Sequence, residues 1–241
     1  MTIRNQSESD VVDSLPGVMP AQSVILLLLA VTAGVLLAVN LTPLWLPGLV
    51  ESTTSTEPKA FWYLSRGSAI AAYWILWLSM AMGVMITNKM AKIWPGIPPA
   101  YELHQYTSLL GLGFALFHAL ILTGDAYIKY TIVQVLLPFA SQNYQPLWVG
   151  VGQVAFYLWG VIVLSFYVRK QIGKKAWRLI HFISYLSFGA VMLHGIFSGT
   201  DSAAPWTHYL YWFSGASLLF LTVYRVANAL QGSQKVVRVN Q

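Results

Sequence analysis

The chain has 241 residues, of which 56% are hydrophobic and 9% charged, against about 25% charged in soluble domains. That balance excludes a soluble globular domain and predicts an integral membrane protein. No cysteine is present, which excludes disulfides, thiolate zinc sites, iron–sulfur clusters and redox thiols. The net charge of +6 gathers in short loops between apolar runs, as membrane topology requires and nucleic-acid binding does not.

Residues 1–21 form a polar segment with Glu8, Asp10 and Asp13 and no basic n-region. They read as a tail before a first span, not as a cleaved signal. Six apolar runs follow, at 22–41, 67–87, 103–123, 149–168, 177–197 and 206–227, each near the roughly 20 residues needed to cross hydrocarbon. Pro43 and Pro47 close the first run, and the loop at 51–59 is rich in Ser and Thr. Between the third and fourth runs, residues 130–140 are apolar but short and interrupted by Pro138. They predict an interfacial lid, not a seventh span. Residues 229–241 read as a second short tail. The expected fold is an all-α six-helix membrane bundle over residues 22–228, flanked by two tails.

Lys and Arg orient the bundle. With the N-terminus cytoplasmic, Arg4, Lys89, Lys92, Arg169, Lys170, Lys174, Lys175, Arg178, Arg225, Lys235 and Arg238 fall inside, and Lys59, Arg66 and Lys129 outside. Eleven cations against three place both termini in the cytoplasm.

Four histidines carry the chemistry. His104 and His118 lie fourteen residues apart in the third run, and His181 and His194 thirteen apart in the fifth. Ionisable groups inside a span cost free energy and mark functional sites. At about 1.5 Å rise per residue the two spacings cover roughly 21 and 20 Å, so both pairs fit inside the hydrocarbon. The third and fifth runs cross in the same direction. His104 and His181 therefore share the cytoplasmic leaflet, and His118 and His194 the outer one.

This pattern predicts two stacked bis-histidine b hemes, since heme iron needs two imidazoles, apolar walls and cations for its propionates. Zinc or copper would want three or four ligands, and Glu102 is the nearest carboxylate to the inner pair. Phe114, Phe117, Tyr185, Phe188 and Met192 are candidate walls, and Gly111, Gly113, Gly189 and Gly195 let a macrocycle approach the backbone. Intramembrane histidines also serve as helix–helix hydrogen-bonding residues. On an ideal helix thirteen steps fall about 140° short of four turns. Either the fifth helix is distorted near Gly189 or the two rings approach it from different sides.

In these features the chain resembles the ferric reductase-like transmembrane domain shared with the membrane part of NADPH oxidases. That family has six helices and two b hemes, with histidines fourteen apart on the third helix and thirteen apart on the fifth. All four ligand positions match, and the likeness runs from about Tyr63 to Arg225. Supporting stretches are Arg66-Gly67, Leu109-Leu110-Gly111-Leu112, Pro138-Phe139, Pro146-Leu147-Trp148, Trp177-Arg178-Leu179-Ile180-His181, His194-Gly195 and Gly199-Thr200-Asp201-Ser202. The last is similar to prokaryotic stand-alone members, which implies a bacterial inner or plasma membrane. The resemblance implies transmembrane electron transfer from a cytoplasmic donor to an outer acceptor of unassigned identity.

Two departures matter. No Gly-rich nucleotide fingerprint follows the sixth run, so no flavin or nicotinamide site is expected in this chain. A separate cytoplasmic flavoprotein or membrane quinol is the expected donor. The oxidases' additional histidine beyond the outer ligand of the third helix is Leu122 here, which argues against superoxide production. A related family, the heme subunit that feeds a periplasmic methionine-sulfoxide reductase, shares the fifth-helix pattern but lacks the inner third-helix histidine.

Arg66 resembles the family arginine near the outer heme, where it would pair with a propionate or polarise an acceptor; as a span-end arginine it would simply snorkel. Arg178 is a candidate for inner-heme propionates or for docking an anionic donor protein with Lys174 and Lys175, or is positive-inside signal alone, as Arg169 and Lys170 are read. Asp201 and Ser202 read first as a helix cap or turn and second as a cation or proton site. His208 reads as a surface histidine. Two other functional classes fit the pattern: a quinol- or quinone-linked cytochrome b subunit of a larger complex, and a heme-free transporter using histidines as proton or metal sites.

Overall fold

The computed structural model describes residues 16–50, 60–88, 90, 94–125, 128–142 and 144–239, without the side chains of Leu49 and 232–239. The acidic tail residues Glu8, Asp10 and Asp13, the loop 51–59, and the cations Arg4, Lys59, Lys89 and Lys92 lie outside the described residues. Six long helices carry the fold: α1 Ala21–Trp45, α2 Ala60–Thr87, α3 Ile97–Ile121, α4 Pro146–Tyr167, α5 Lys174–Ser198 and α6 Pro205–Val239. No strand occurs among the described residues. All six are long and apolar enough to cross a membrane. A lone span must satisfy its backbone polar groups within itself, and a helix does this. Hydroxyls inside the spans do the same, as where Thr32, Ser68, Thr107 and Thr222 donate to carbonyls four residues back.

The ends follow local chemistry. Prolines open α3 and α4, where a missing N–H is tolerated. Gly173, at φ 83°, separates the turn Arg169–Ile172 from α5. The first run, expected to end at 41, continues helical through Pro43. The sixth continues past 227 and takes most of the expected tail into α6, because residues 228–239 contain no proline and several good helix formers.

α2 packs most extensively on α3, and α4 on α5. Tyr73, Leu76, Leu109, Leu112, Trp159 and Phe188 form the core between them. Tyr73 Oη meets Ser214 Oγ at 2.6 Å and Trp77 donates to Ser217 at 2.9 Å, tying α2 to α6. α1 buries only Val24 and Val35 among its residues, and Leu26, Leu29 and Leu37 stay exposed.

Two ends can be told apart. The basic end carries the turn Arg169–Ile172 and the start of α5. The opposite end is covered by the short helix Ile132–Leu136, whose Thr131 and Gln134 form a capping box. Gln153 Nε2 donates to the Gln134 and Val135 carbonyls at 2.7 Å each, and Tyr157 donates to Leu136 O. The segment is therefore a lid strapped to α4. Beneath it, burial raises the Tyr130 phenol above its ordinary range.

Candidate functional site: two facing histidine pairs

α3 and α5 bring their histidines together in two pairs. The His104 and His181 ring centroids are 6.0 Å apart at the basic end, and those of His118 and His194 are 6.2 Å apart under the lid. A metal–imidazole bond of about 2.0 Å puts two axial imidazoles roughly 6.4 Å apart, centroid to centroid. Both pairs match that span. Among the described residues no group of three or more His, Cys, Asp or Glu gathers, so each site is a pair.

Neighbouring helices orient three of the four rings. His104 Nδ1 bonds to Ser79 O at 2.8 Å, His118 Nδ1 to Ser65 O at 2.9 Å and His194 Nδ1 to Trp148 O at 2.8 Å. A carbonyl only accepts, so Nδ1 carries the proton in each and Nε2 keeps its lone pair. That is the ligand tautomer of a metal-binding imidazole. Ser65 and Ser79 reinforce the contact, since their hydroxyls approach Nδ1 at 2.8 and 3.1 Å and donate to the carbonyls of His118 and His104.

Two glycines make room. A Cβ on Gly152 would sit 2.5 Å from His194 Nδ1, and one on Gly83 would sit 3.1 Å from His104 Cε1. Each lies four residues after the carbonyl its histidine uses. Trp148, which supplies one carbonyl, is stacked on Phe197 at 4.1 Å, locking α4 against α5. His181 has a different support: Trp177, one turn earlier, lies 5.3 Å from its ring.

Each pair lines a cavity. The one at the basic end has a volume of about 560 Å³, and Gln105, Trp177, Arg178 and Arg225 share its wall. The one under the lid is about 240 Å³ and includes Arg66, Tyr144, Ser198 and Asp201. Arg66 reaches across to Asp201 in a two-pronged ion pair, with Nε to Oδ2 at 3.0 Å and NH2 to Oδ1.

Several expectations change on this geometry. Asp201 keeps the turn role through its carbonyl, which accepts from Ala204 N–H and Thr207 Oγ1, while its carboxylate goes to Arg66 and not to the α6 N-terminus. Ser202 keeps a turn role through Gly195 O and Gly199 O. Of the five expected wall residues only Tyr185 lines a cavity. Phe188 stacks on Tyr73, and Met192 and Phe117 pack into the core instead. Gly111 and Gly195 accommodate Trp159 and Tyr211, and Gly113 and Gly189 face open space. α5 runs unbroken through Gly189. Arg178 does line the basic-end cavity, His208 is exposed, and Arg169 stacks over Phe166 at 3.8 Å.

Ser65, Ser79, Trp148, Gly83, Gly152, Gln105, Trp177 and Arg225 escaped the sequence reading as site residues. One signal was present: Ser65 and Ser79 are fourteen apart on α2, the spacing of His118 and His104 on its antiparallel neighbour.

No curated protein and no solved structure matches the chain. A family model described as a domain of unknown function, DUF8596, matches residues 60–201. That stretch runs from the start of α2 to Asp201 and contains all four histidines, their three carbonyl anchors and Arg66. Since it covers more than half of the 241 residues, the chain belongs to the DUF8596 family.

Proposed function

We propose that the chain is the membrane subunit of an electron-transfer system and holds two b hemes, one between His104 and His181 and one between His118 and His194. Bound heme supplies a one-electron couple, and two of them in opposite leaflets supply a route for single electrons across the bilayer. The observation that carries this reading is the pair of imidazole separations, 6.0 and 6.2 Å, together with Nδ1 tied to a carbonyl in three of the four rings.

The protein's own part is positioning and exclusion of water. Ser65, Ser79 and Trp148 hold ring orientation through backbone carbonyls, which keeps Nε2 basic and aimed. The lid, strapped by Gln153 and Tyr157, closes one cavity. Arg178 and Arg225 give the other the cations that an acid-bearing macrocycle needs. The cation bias of the loops supports a cytoplasmic basic end. Electrons then enter at the His104/His181 site from a separate flavoprotein or from quinol, and leave under the lid to an acceptor in the manner of a ferric reductase. A bacterial plasma membrane suits this arrangement.

The test is a reduced-minus-oxidised spectrum of the purified chain with heme counted per polypeptide. Two b hemes are expected. A chain with no heme would turn the reading toward a transporter that uses its histidines for protons or metal.

A further inference from the structure

The basic-end cavity contains two hydrogen-bond donors with nothing to donate to. Gln105 is 9% exposed, and its Oε1 accepts from the Val18 backbone N–H at 3.1 Å. That contact fixes the amide: the oxygen faces Val18, so Nε2 and its two hydrogens point elsewhere. Nε2 is buried and has no partner among the described residues. Trp177 Nε1, which can only donate, is also buried without a partner among the described residues. Both side chains line the cavity between His104 and His181. One follows a histidine ligand directly in the chain, and the other lies against its opposite number.

The charge in the same wall has one sign. Arg178 and Arg225 line the cavity, and among the described residues no Asp or Glu does. A buried donor left unmade costs about 1–3 kcal/mol, and a charged acceptor recovers more than a neutral one. Donors and cations without an acceptor among them select an acceptor-only, anionic group. The lid end is built otherwise. Its arginine is committed to Asp201, and its orphan, Ser198 Oγ, is a hydroxyl that can donate or accept.

We infer that Gln105 Nε2 and Trp177 Nε1 hydrogen-bond the carboxylates of the group held between His104 and His181, so that this site, unlike the lid-end site, selects a ligand bearing free acid groups. This rests on the heme reading above. The two are positioning and specificity residues, and they leave the iron ligands untouched.

The experiment compares heme with heme dimethyl ester, in which both acids are masked. The full-length chain is made under heme starvation and reconstituted in detergent, with His118→Ala limiting filling to the basic-end site. Heme is expected to bind about tenfold more tightly than the ester, whose carbonyls still accept hydrogen bonds but carry no charge. Gln105→Leu combined with Trp177→Phe, which keeps an aromatic ring beside His181, should cut that preference by about tenfold. In the chain with His118 intact, a normal lid-end heme spectrum shows that the double variant folds. Equal weakening for heme and ester would assign both residues to packing and overturn the inference, as would an unchanged preference. A parent chain that takes up neither compound overturns the heme reading itself.

Discussion

The two histidine sites share a ligand pair but differ in how the pair is held. Under the lid both rings are fixed from behind by carbonyls, Ser65 O for His118 and Trp148 O for His194. The nearby cation is balanced by Asp201, and the lid restricts the space to about 240 Å³. At the basic end, among the described residues, only His104 has a carbonyl anchor. His181 leans on Trp177, the cavity is about 560 Å³, and its cations, Arg178 and Arg225, meet no acid in the wall. One end is rigid and electrically balanced; the other is roomier and positive. Rigidity suits a site that must hold a fixed geometry beneath a cover. On the proposed function, a positive, less constrained wall suits the end where an anionic group or donor would be met.

The sharpest way to break this contrast is through the two glycines. Gly152→Ala places a methyl 2.5 Å from His194 Nδ1, and the well-packed α4–α5 seam cannot yield without cost, typically about 1–3 kcal/mol for overpacking. The variant should lose most of the lid-end heme and keep the other. Gly83→Ala meets His104 at 3.1 Å, a contact that a small ring shift relieves, and should keep both hemes with altered ligand-field signals at the basic end only. Heme counting and low-temperature electron paramagnetic resonance separate these outcomes. Equal effects from the two substitutions would contradict the difference in rigidity.

Asp201→Asn comes next. It leaves the Arg66 charge uncompensated beside the lid-end pair, so the midpoint potential there should rise while the basic-end value stays. The stability cost should be small, about 1 kcal/mol or less, because both partners are partly exposed, at 31% and 26%. Potentiometric titration with optical detection reads the first effect and thermal unfolding the second. A shift confined to the basic end would place the ion pair at the wrong site.

The smallest effect belongs to the surface. Lys174→Glu with Lys175→Glu should slow heme reduction by a flavoprotein donor and leave both heme spectra intact, with the wild-type rate falling as salt screens the contact. Rates indifferent to both changes would shift the donor to quinol.

Much of this was readable in the sequence, for physical reasons that also mark the limit. Apolar length marks the six long helices, and the spacing of His104/His118 and His181/His194 sets two pairs at matching heights, because helix rise is constant. What stands behind each ring depends on which helices are neighbours and how they are rotated, which one strand of sequence does not encode locally. Trp148 therefore enters the sequence analysis only within the stretch Pro146-Leu147-Trp148, although its backbone carbonyl is what orients His194. Gly111 reads in the sequence as a close-approach glycine and Gly83 and Gly152 do not, yet these two face imidazoles and Gly111 faces Trp159. Arg225 counted only as a topological charge, since nothing in α6 announces that it turns toward His181's cavity. Asp201 followed the general preference of acids for helix starts, and a two-pronged arginine overrode it.

The central claim is that four histidines bind two hemes in fixed pairs. Its most direct test is heme counting, with spectra, across the four single replacements His104→Ala, His118→Ala, His181→Ala and His194→Ala in the purified full-length chain. The account predicts two hemes in the parent and one in each variant, with His104→Ala matching His181→Ala and His118→Ala matching His194→Ala. Two hemes retained in any variant, or matches that cross between the ends, would contradict it.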